Sequence, residues 1–317
     1  MNNTLSQRDA FFNTLYERIK EGDRDIIILM ADMGAPALDD IRREFPNQIY
    51  NTGISEQNTI TAGSGLAMEG KKVFAYAIAT FMVLRALELF RIEQSVMNIP
   101  MTIVACGSGF SYEDSGPTHF QLEDIACTRV YPNIDTHMLT DSVMAKDVAD
   151  LCVNPDLCFR NTRHIRLERQ VTENVYTEDS DYSNGFNVLK KGKSYLVATG
   201  IMVHEALKHA EKLGPDVGVI DVHTLANGKP LKVDEFVKTV SGADKLAVLE
   251  EHFLPGGLGS AVLETICDAQ TYRPTLRLGY GTEKGYPYVY GGRDLLRGYF
   301  GRDFDSSNVA IKDFFAS

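Results

Sequence analysis

The sequence predicts two consecutive α/β domains with mostly parallel sheets. Two blocks of the 317-residue chain, up to residue 170 and from residue 187, alternate apolar runs of strand length with helical patterns. The run Ile26–Met30 is continuously apolar, which is typical of parallel strands covered on both faces. Strict alternation of helices and strands implies right-handed crossovers and parallel pairing. A polar, acidic segment without apolar periodicity, 171–186, predicts an interdomain linker.

The elements of both blocks can be placed in order by their periodicity. The first block is predicted to hold helices at 7–20, 37–44, 82–97 and 142–151, a helix that starts near Glu56, and strands at 25–30, 48–51, 72–76, 101–105 and 164–170. The second is predicted to hold strands at 194–198, 217–221 and 245–250, with helices at 203–213, 233–240 and 260–268. Ligands bind beyond the carboxyl ends of parallel strands, so the loops after Met30, Asn51, Tyr76 and Cys106 are the places for functional groups.

Composition excludes several classes of function. A net charge of −11 and a pI near 5.2 disfavour a general nucleic-acid or anionic-membrane surface, which would need clustered Lys and Arg. No apolar stretch of about 18 residues and no signal-peptide pattern is present, so we expect a soluble, cytoplasmic protein without a membrane partner. Five cysteines without a regular framework predict reduced thiols rather than disulfides or zinc: Cys106, Cys127, Cys152, Cys158 and Cys267. No metal site is expected in this chain.

A turn at 51–59 runs into a helix that is rich in small residues. Ser55 is the predicted N-cap and Glu56 lies in the first turn, where a carboxylate can simply accept free backbone N–H groups. Glycine inside a helix costs about 1 kcal/mol relative to alanine unless another group approaches closely. Gly63 and Gly65 therefore predict tight packing against this helix.

Three more motifs follow predicted strands. Phe81 ends the segment Ala-Ile-Ala-Thr-Phe, the loop after Cys106 contains Glu-Asp-Ser-Gly-Pro-Thr-His119, and the strand near 164 ends in Arg169-Gln170. A histidine can move protons at neutral pH, and a guanidinium suits phosphate or sulfonate. Each residue also has a plain structural alternative: a core phenylalanine, a hydrogen-bonded loop histidine and a solvated or ion-paired arginine.

Together these motifs resemble the transketolase family of thiamine diphosphate enzymes, which includes transketolase, deoxyxylulose phosphate synthase and the beta subunit of 2-oxo acid dehydrogenase decarboxylases. The segment around Glu56 is similar to the family's G-I-x-E-Q/H element, whose glutamate hydrogen-bonds the cofactor's aminopyrimidine. A proton shared between that carboxyl group and the ring gives access to the imino tautomer, which activates the thiazolium carbon. The resemblance implies this catalytic role for Glu56.

The resemblance also implies the other contacts to the cofactor. Phe81 stands where the family has a phenylalanine that stacks on the pyrimidine, and Leu84 takes the place of a further aromatic, which predicts an aliphatic wall there. Asp32, in a segment similar to the family's A-D-L, is implied to build the cofactor site at a subunit interface. A cap for the following helix is an equally open interpretation of Asp32.

For the substrate, the loop resembles G-x-x-G-E-D-G-P-T-H-Q of transketolases. This implies that Asp114 and His119 line the sugar funnel, with His119 catalytic, and that Arg169 binds a terminal phosphate. Arg8 matches the approximate place of another phosphate-binding arginine, with a surface arginine as the alternative. Two departures bear on this pocket: Ser115 is inserted, and Cys106 stands where transketolases have a substrate-facing histidine.

The family's G-D-G motif and its following asparagine, which hold the diphosphate through Mg²⁺ or Ca²⁺, are absent. The resemblance therefore implies a pyrimidine-binding domain at 1–170 and a transketolase C-terminal domain at 187–317, with a companion N-terminal subunit that supplies the metal site, assembled as a heterotetramer. The expected function is ketol transfer in carbohydrate metabolism: a transferase that moves two carbons from a ketose to an aldose, with anionic sugars that carry phosphate or sulfonate as the expected substrates. A deoxyxylulose phosphate synthase-like enzyme, a 2-oxo acid decarboxylase subunit and a non-catalytic homologue stay as alternatives.

Overall fold

The computed structural model describes residues 5–154, 156–157 and 160–317, apart from the side chain of Ala37. The helices are α1 (Gln7–Lys20), α2 (Pro36–Glu44), α3 (Glu56–Met68), α4 (Leu87–Leu89), α5 (Asp124–Thr128), α6 (Ser142–Val153), α7 (Met202–Leu213), α8 (Val233–Ser241), α9 (Leu258–Asp268), α10 (Arg293–Tyr299) and α11 (Phe304–Ala316). The strands are β1 (Ile26–Met30), β2 (Ile49–Asn51), β3 (Lys72–Ile78), β4 (Thr102–Cys106), β5 (Ile134–Met138), β6 (Thr162–Leu167), β7 (Phe186–Lys190), β8 (Ser194–Ala198), β9 (Val217–Val222), β10 (Thr224–Ala226), β11 (Lys229–Pro230), β12 (Leu246–Phe253) and β13 (Thr275–Tyr280).

These strands form two sheets. One has the order β11-β10-β5-β6-β4-β3-β1-β2 and the other the order β13-β12-β8-β9-β7. Pairing is parallel except where β10 meets β5 and β11, and where β7 meets β9. The predicted α/β class with mostly parallel sheets is thus confirmed.

The continuous apolar run of β1 is explained by the helices that cover both faces of the first sheet, as predicted. Ile26, Ile28 and Met30 belong to the core under α1, α2 and α6, whereas Ile27 and Leu29 belong to the core on the other face, with Ile60 of α3. Successive side chains of a strand point to opposite faces, and both faces here are covered by helices. Each residue of β1 is therefore buried.

The predicted helix at 82–97 is only partly right. Its middle is the short α4, and the flanking residues Phe81–Arg85 and Phe90–Val96 are π-helical. π-Helical turns in α-helical segments often lie at functional sites. The wider turn begins at Phe81, directly beyond β3.

The two halves of the chain share a sheet, which periodicity did not indicate. Residues 224–230 form a hairpin whose strand β10 pairs antiparallel with β5, so a piece of the second block extends the first sheet. The predicted linker is also held: backbone N–H groups of Val175 and Tyr176 donate to the carboxylate of Asp141 at 2.6 and 2.7 Å. The exact domain boundaries stay a prediction.

A tight strand-to-helix turn joins β12 and α9, where Gly256 has a φ of +74°, a backbone conformation that favours glycine. Among the described residues, Cys106, Cys127 and Cys267 form no disulfide, and Cys158 lies outside them. No helix in the described part of the chain is long and apolar enough to cross a bilayer.

Candidate active site

The carboxyl ends of the central parallel strands bring the candidate residues to one edge of the first sheet. Glu56 is the first residue of α3, just after β2, and its side chain is only 2% exposed. One of its carboxylate oxygens accepts a hydrogen bond from the guanidinium of Arg85. Ser55 occupies the N-cap position as predicted, but its hydroxyl donates to the carbonyl of Thr52 at 2.8 Å instead of capping the helix. The carboxylate of Glu56 is thus buried in an ion pair with a guanidinium.

Phe81 lies beside this carboxylate. The guanidinium of Arg85, which pairs with Glu56, is 4.9 Å from the centroid of the Phe81 ring. On its other side Phe81 meets His119 edge to face, with ring centroids 5.2 Å apart. The neighbouring Leu84 is 37% exposed. The structure therefore brings Glu56, Phe81 and His119 together, and adds Arg85, to which sequence reasoning gave no role.

His119 is presented by a turn in the loop between β4 and α5. Its backbone N–H donates to the carbonyl of Gly116 at 2.9 Å, and its Nδ1 lies 3.0 Å from the hydroxyl of Thr118. Burial lowers the pKa of His119 below its ordinary value, while the carboxylate of Asp114 acts in the opposite direction. The imidazole is accordingly neutral at pH 7 and can accept a proton.

Arg169 and Asp114 lie next to the histidine. The guanidinium of Arg169 is 3.5 Å from the carboxylate of Asp114 and stacks 4.6 Å from the centroid of the Tyr112 ring. That ring in turn lies 5.7 Å from the ring of His119. A third of the Arg169 side chain is exposed. Its donors can therefore meet an incoming anion without burial of an unpaired charge.

Arg8 points toward the same region from the first turn of α1. Its side chain is 16% exposed, so it is not a surface arginine, and its Nε donates to Asp9 at 2.9 Å. It acts electrostatically on Tyr76 and on Cys106. The thiol of Cys106 is fully buried and burial raises its pKa to about 12, so it is a protonated, inaccessible thiol at pH 7.

Asp32 lies apart from this group in an exposed position after β1. Its carboxylate accepts from the side-chain amide of Asn51 at 2.9 Å, and its φ of +48° is left-handed. The following helix α2 has Ala35 as its N-cap without a side-chain hydrogen bond, so Asp32 does not cap it. The carboxylate of Asp32 is therefore exposed at the carboxyl edge of the first sheet.

Beneath the loop lies a buried network of charges from both sheets, which sequence reasoning missed. Glu168, directly after β6, accepts from Arg293 at 2.6 Å, and Glu251 accepts from Arg297 at 2.8 Å and from the backbone of Phe110 at 2.9 Å. Burial works to raise the pKa of Glu251, but Arg293 and Arg297 outweigh it and hold the pKa below its ordinary value. The network fixes the loop to the second half of the chain.

The described residues contain no group of three or more His, Cys, Asp or Glu side chains that could hold a metal ion. The corner formed by Glu56 and Phe81 fits an aromatic heterocycle instead, because it offers one buried acceptor and one aromatic face. Fold and candidate site together define an α/β protein with a cluster of a buried acid, an imidazole and guanidinium groups at the carboxyl edge of a parallel sheet.

Comparison with known proteins then identifies the family. The model "Transketolase, pyrimidine binding domain" matches residues 4–173 and the model "Transketolase, C-terminal domain" matches residues 186–291. The chain belongs to the transketolase family, which implies dependence on thiamine diphosphate. It is 30% identical to one of the subunits of the apulose-4-phosphate transketolase of Phocaeicola vulgatus, over 84% of this chain and 85% of that one.

Two further relatives agree with this assignment. The chain is 31% identical to a putative transketolase C-terminal section of Methanocaldococcus jannaschii, over 94% of this chain and 93% of the relative. The solved structure described as "Split gene transketolase, inactive beta4 tetramer" superposes with a TM-score of 0.83 at 27% identity, with 99% of both chains covered. All three are chains of nearly this length.

Proposed function

We propose that this chain is the pyrimidine-binding, C-terminal subunit of a split transketolase that transfers a two-carbon ketol unit from a ketose to an aldose. The observation that carries the proposal is the meeting of Glu56, Phe81 and His119 in one corner of the site. An acid for the cofactor, an aromatic face for its ring and a neutral imidazole for the sugar are the parts that ketol transfer requires.

Each residue has a definite part in this mechanism. Bound thiamine diphosphate would supply the nucleophilic carbon that attacks the ketose carbonyl. Glu56 exchanges a proton with the pyrimidine ring, and Phe81 fixes the plane of that ring. His119 takes a proton from a substrate hydroxyl during carbon–carbon cleavage and returns it to the acceptor aldehyde. Asp114 orients a sugar hydroxyl beside it.

The cationic side chains support an anionic substrate. Arg169 is accessible at the mouth of the site, and Arg8 lies inward near Tyr76. In a chain of net charge −11, local guanidinium groups are the means of holding a phosphate or sulfonate terminus. One relative is named for a sugar phosphate, apulose 4-phosphate, which supports this class of substrate.

A companion subunit completes the proposal. The G-D-G motif for the diphosphate is absent from the sequence, and the metal, Mg²⁺ or Ca²⁺, would be held by that companion in a heterotetramer. Exposed apolar side chains on and beside α3, the helix that begins at Glu56, offer a place for it, with Ile54, Met68, Val96 and Met97 each more than half exposed. The beta-only tetramer of the structural relative is described as inactive, which supports the need for a second chain.

The proposal predicts that the purified chain alone neither binds thiamine diphosphate with Mg²⁺ tightly nor converts a ketose, whereas the chain with its companion does both. Calorimetric titration and a coupled ketol-transfer assay measure the two quantities. The matched control is a complex with Glu56→Gln, which should assemble and lose about 10²- to 10⁴-fold in turnover. Tight metal-dependent binding by the single chain would refute the split arrangement.

A further inference from the structure

A tyrosine-rich segment of the C-terminal half lies against the loop that carries His119. Residues 285–292 form neither helix nor strand and read Gly-Tyr-Pro-Tyr-Val-Tyr-Gly-Gly. Tyr288 and Tyr290 in this segment are 82% and 68% exposed, which is more than is usual for tyrosine, a residue of intermediate burial. Tyr286 anchors the segment, since its hydroxyl donates to the carboxylate of Glu123 at 2.6 Å. The segment that carries these two exposed rings is therefore fastened to Glu123, directly before α5.

Tyr290 packs on the turn that presents His119. Three atoms of its side chain lie 3.0 to 3.3 Å from the position where a Cβ on Gly116 would be. Gly116 has a φ of +80°, and its carbonyl accepts the backbone N–H of His119. The absence of a side chain at Gly116 thus allows the tyrosine ring to approach the backbone of this turn.

Arg293, which directly follows this segment, binds two residues that neighbour Asp114 and Arg169 in the chain. The backbone N–H of Arg293 donates to Glu113 at 2.7 Å, and its guanidinium donates to Glu168 at 2.6 Å. These two acceptors are the chain neighbours of Asp114 and Arg169, which form the ion pair at the mouth of the site. Arg293 and Glu168 are 10% and 1% exposed, so the joint is rigid and buried.

We propose that Tyr290 is a specificity-determining residue that forms the outer wall of the sugar pocket, contributed by the C-terminal half of the chain. Its ring packs on the carbon chain of the substrate between the reacting end at His119 and the anionic end at Arg169. Aromatic rings bury the C–H faces of polar ligands while their hydroxyl stays hydrated. This inference rests on the proposed function, because it concerns the substrate of the same site.

The test uses the reconstituted complex with ribose 5-phosphate and glycolaldehyde as acceptors. Tyr290→Ala should raise KM for ribose 5-phosphate on the order of three- to tenfold, with kcat nearly unchanged, since the ring contact is equal in the ground and transition states. Glycolaldehyde, which is too short to reach from His119 to Arg169, should react as in the wild type. Tyr290→Phe should behave as the wild type, and Tyr288→Ala is the matched control for loss of an exposed ring in this segment.

Direct binding separates this inference from the proposed function. Calorimetry should show a weaker Kd of Tyr290→Ala for ribose 5-phosphate by the same factor. If the wild-type complex binds this sugar without turnover, the proposed function fails. The Kd of Tyr290→Ala for ribose 5-phosphate, compared with that of the wild type, then tests the inference about Tyr290 by itself. Equal losses for both acceptors, no change in either, failure of the variant to assemble with the companion, or a wild-type complex that does not bind the sugar would each overturn the inference.

Discussion

Arg85 contacts both of the side chains that a bound pyrimidine ring would contact, Glu56 and Phe81. Its guanidinium pairs with the carboxylate of Glu56 and lies over the ring of Phe81. The arginine side chain is 44% exposed, so it can leave this position toward solvent without burial of its charge. Nothing in the sequence near Glu56 could indicate the pair, because Arg85 lies 29 residues further along the chain and reaches the carboxylate through a π-helical turn.

Replacement of this arginine should therefore strengthen cofactor binding. In Arg85→Gln no ion pair has to be broken before the ring enters. Glu56 is buried but Arg85 is 44% exposed, so solvent screens the pair. At about 1 kcal/mol for such a screened pair, the Kd for thiamine diphosphate should fall by up to about fivefold. Calorimetry on the assembled complex measures this, with Arg91→Gln as the control for charge lost from the same segment. A weaker Kd would mean that Arg85 stays beside Glu56 and helps to hold the cofactor.

The proposed role of Arg169 in binding an anionic group can be tested by comparing a charged with a neutral substrate. Arg169→Ala should raise KM for ribose 5-phosphate on the order of 10- to 100-fold with little change in kcat, because a charge-assisted contact far from the reacting carbonyl acts on binding and not on the chemical step. Neutral ribose should be affected far less. Steady-state kinetics with both sugars gives the comparison. Equal losses for the two would exclude Arg169 as the anion clamp.

At the level of the elements, most of the first sheet followed from the sequence. Helix α1 and strand β1 lie where periodicity placed them, since both have a strong apolar pattern. Strand β5 was missed because it reads Ile-Asp-Thr-His-Met, in which polar residues interrupt the apolar run. One of its buried polar partners is distant in the chain, since the hydroxyl of Thr224 lies 3.1 Å from Nδ1 of His137. The hairpin β10–β11 was missed for the same reason. Such pairings depend on tertiary contacts that no local pattern contains.

The prediction of tight packing against helix α3 can be examined at its two glycines, Gly63 and Gly65. Gly63 is in close contact with the core, since a Cβ there would lie 2.5 Å from the terminal methyl of Met101, whereas Gly65 is exposed and has open space around its Cα. The prediction of tight packing is thus confirmed for Gly63 inside the subunit. For Gly65 the packing partner would be another chain.

Gly65→Ala separates stability from assembly. In the isolated chain it should raise the free energy of unfolding by about 0.5–1 kcal/mol, because alanine restricts the unfolded backbone and meets no clash. In the complex it should weaken association with the companion if α3 packs closely there. Denaturant unfolding and an association titration measure the two effects, with the exposed Ala62, one turn away, changed to Ser as the control. Unchanged association would place the interface elsewhere.

At the scale of the whole molecule, the junction between the two halves is built from buried ionisable groups. Asp221 of β9 accepts hydrogen bonds from Tyr176, at 2.8 Å, and from Thr140, so one carboxyl group joins the two sheets and the segment between them. Burial raises the pKa of Asp221 to about 7, and burial likewise raises the pKa of Glu250 to about 7. Burial has the opposite effect on the imidazoles, and lowers the pKa to about 3 for His137 and His223 and to about 4 for His164 and His252.

These shifts predict that the isolated chain is most stable near pH 7 and loses stability as the pH falls below that value. Below about pH 6.5 the unfolded chain takes up protons on the four histidines, which stay neutral in the fold. The two carboxyl groups act in the opposite direction, because the fold keeps their protons up to about pH 7, whereas the unfolded chain has released most of them by about pH 5. The four histidines outweigh the two carboxyl groups.

Asp221→Asn removes one of the two opposing groups. The free energy of unfolding should therefore fall more steeply between about pH 6 and pH 5, by about 1.4 kcal/mol per pH unit beyond the wild-type slope, whatever the effect of the substitution on absolute stability. Unfolding followed by circular dichroism from pH 5 to 8.5 gives both profiles. A slope equal to that of the wild type would show that Asp221 is already ionised in the fold over this range.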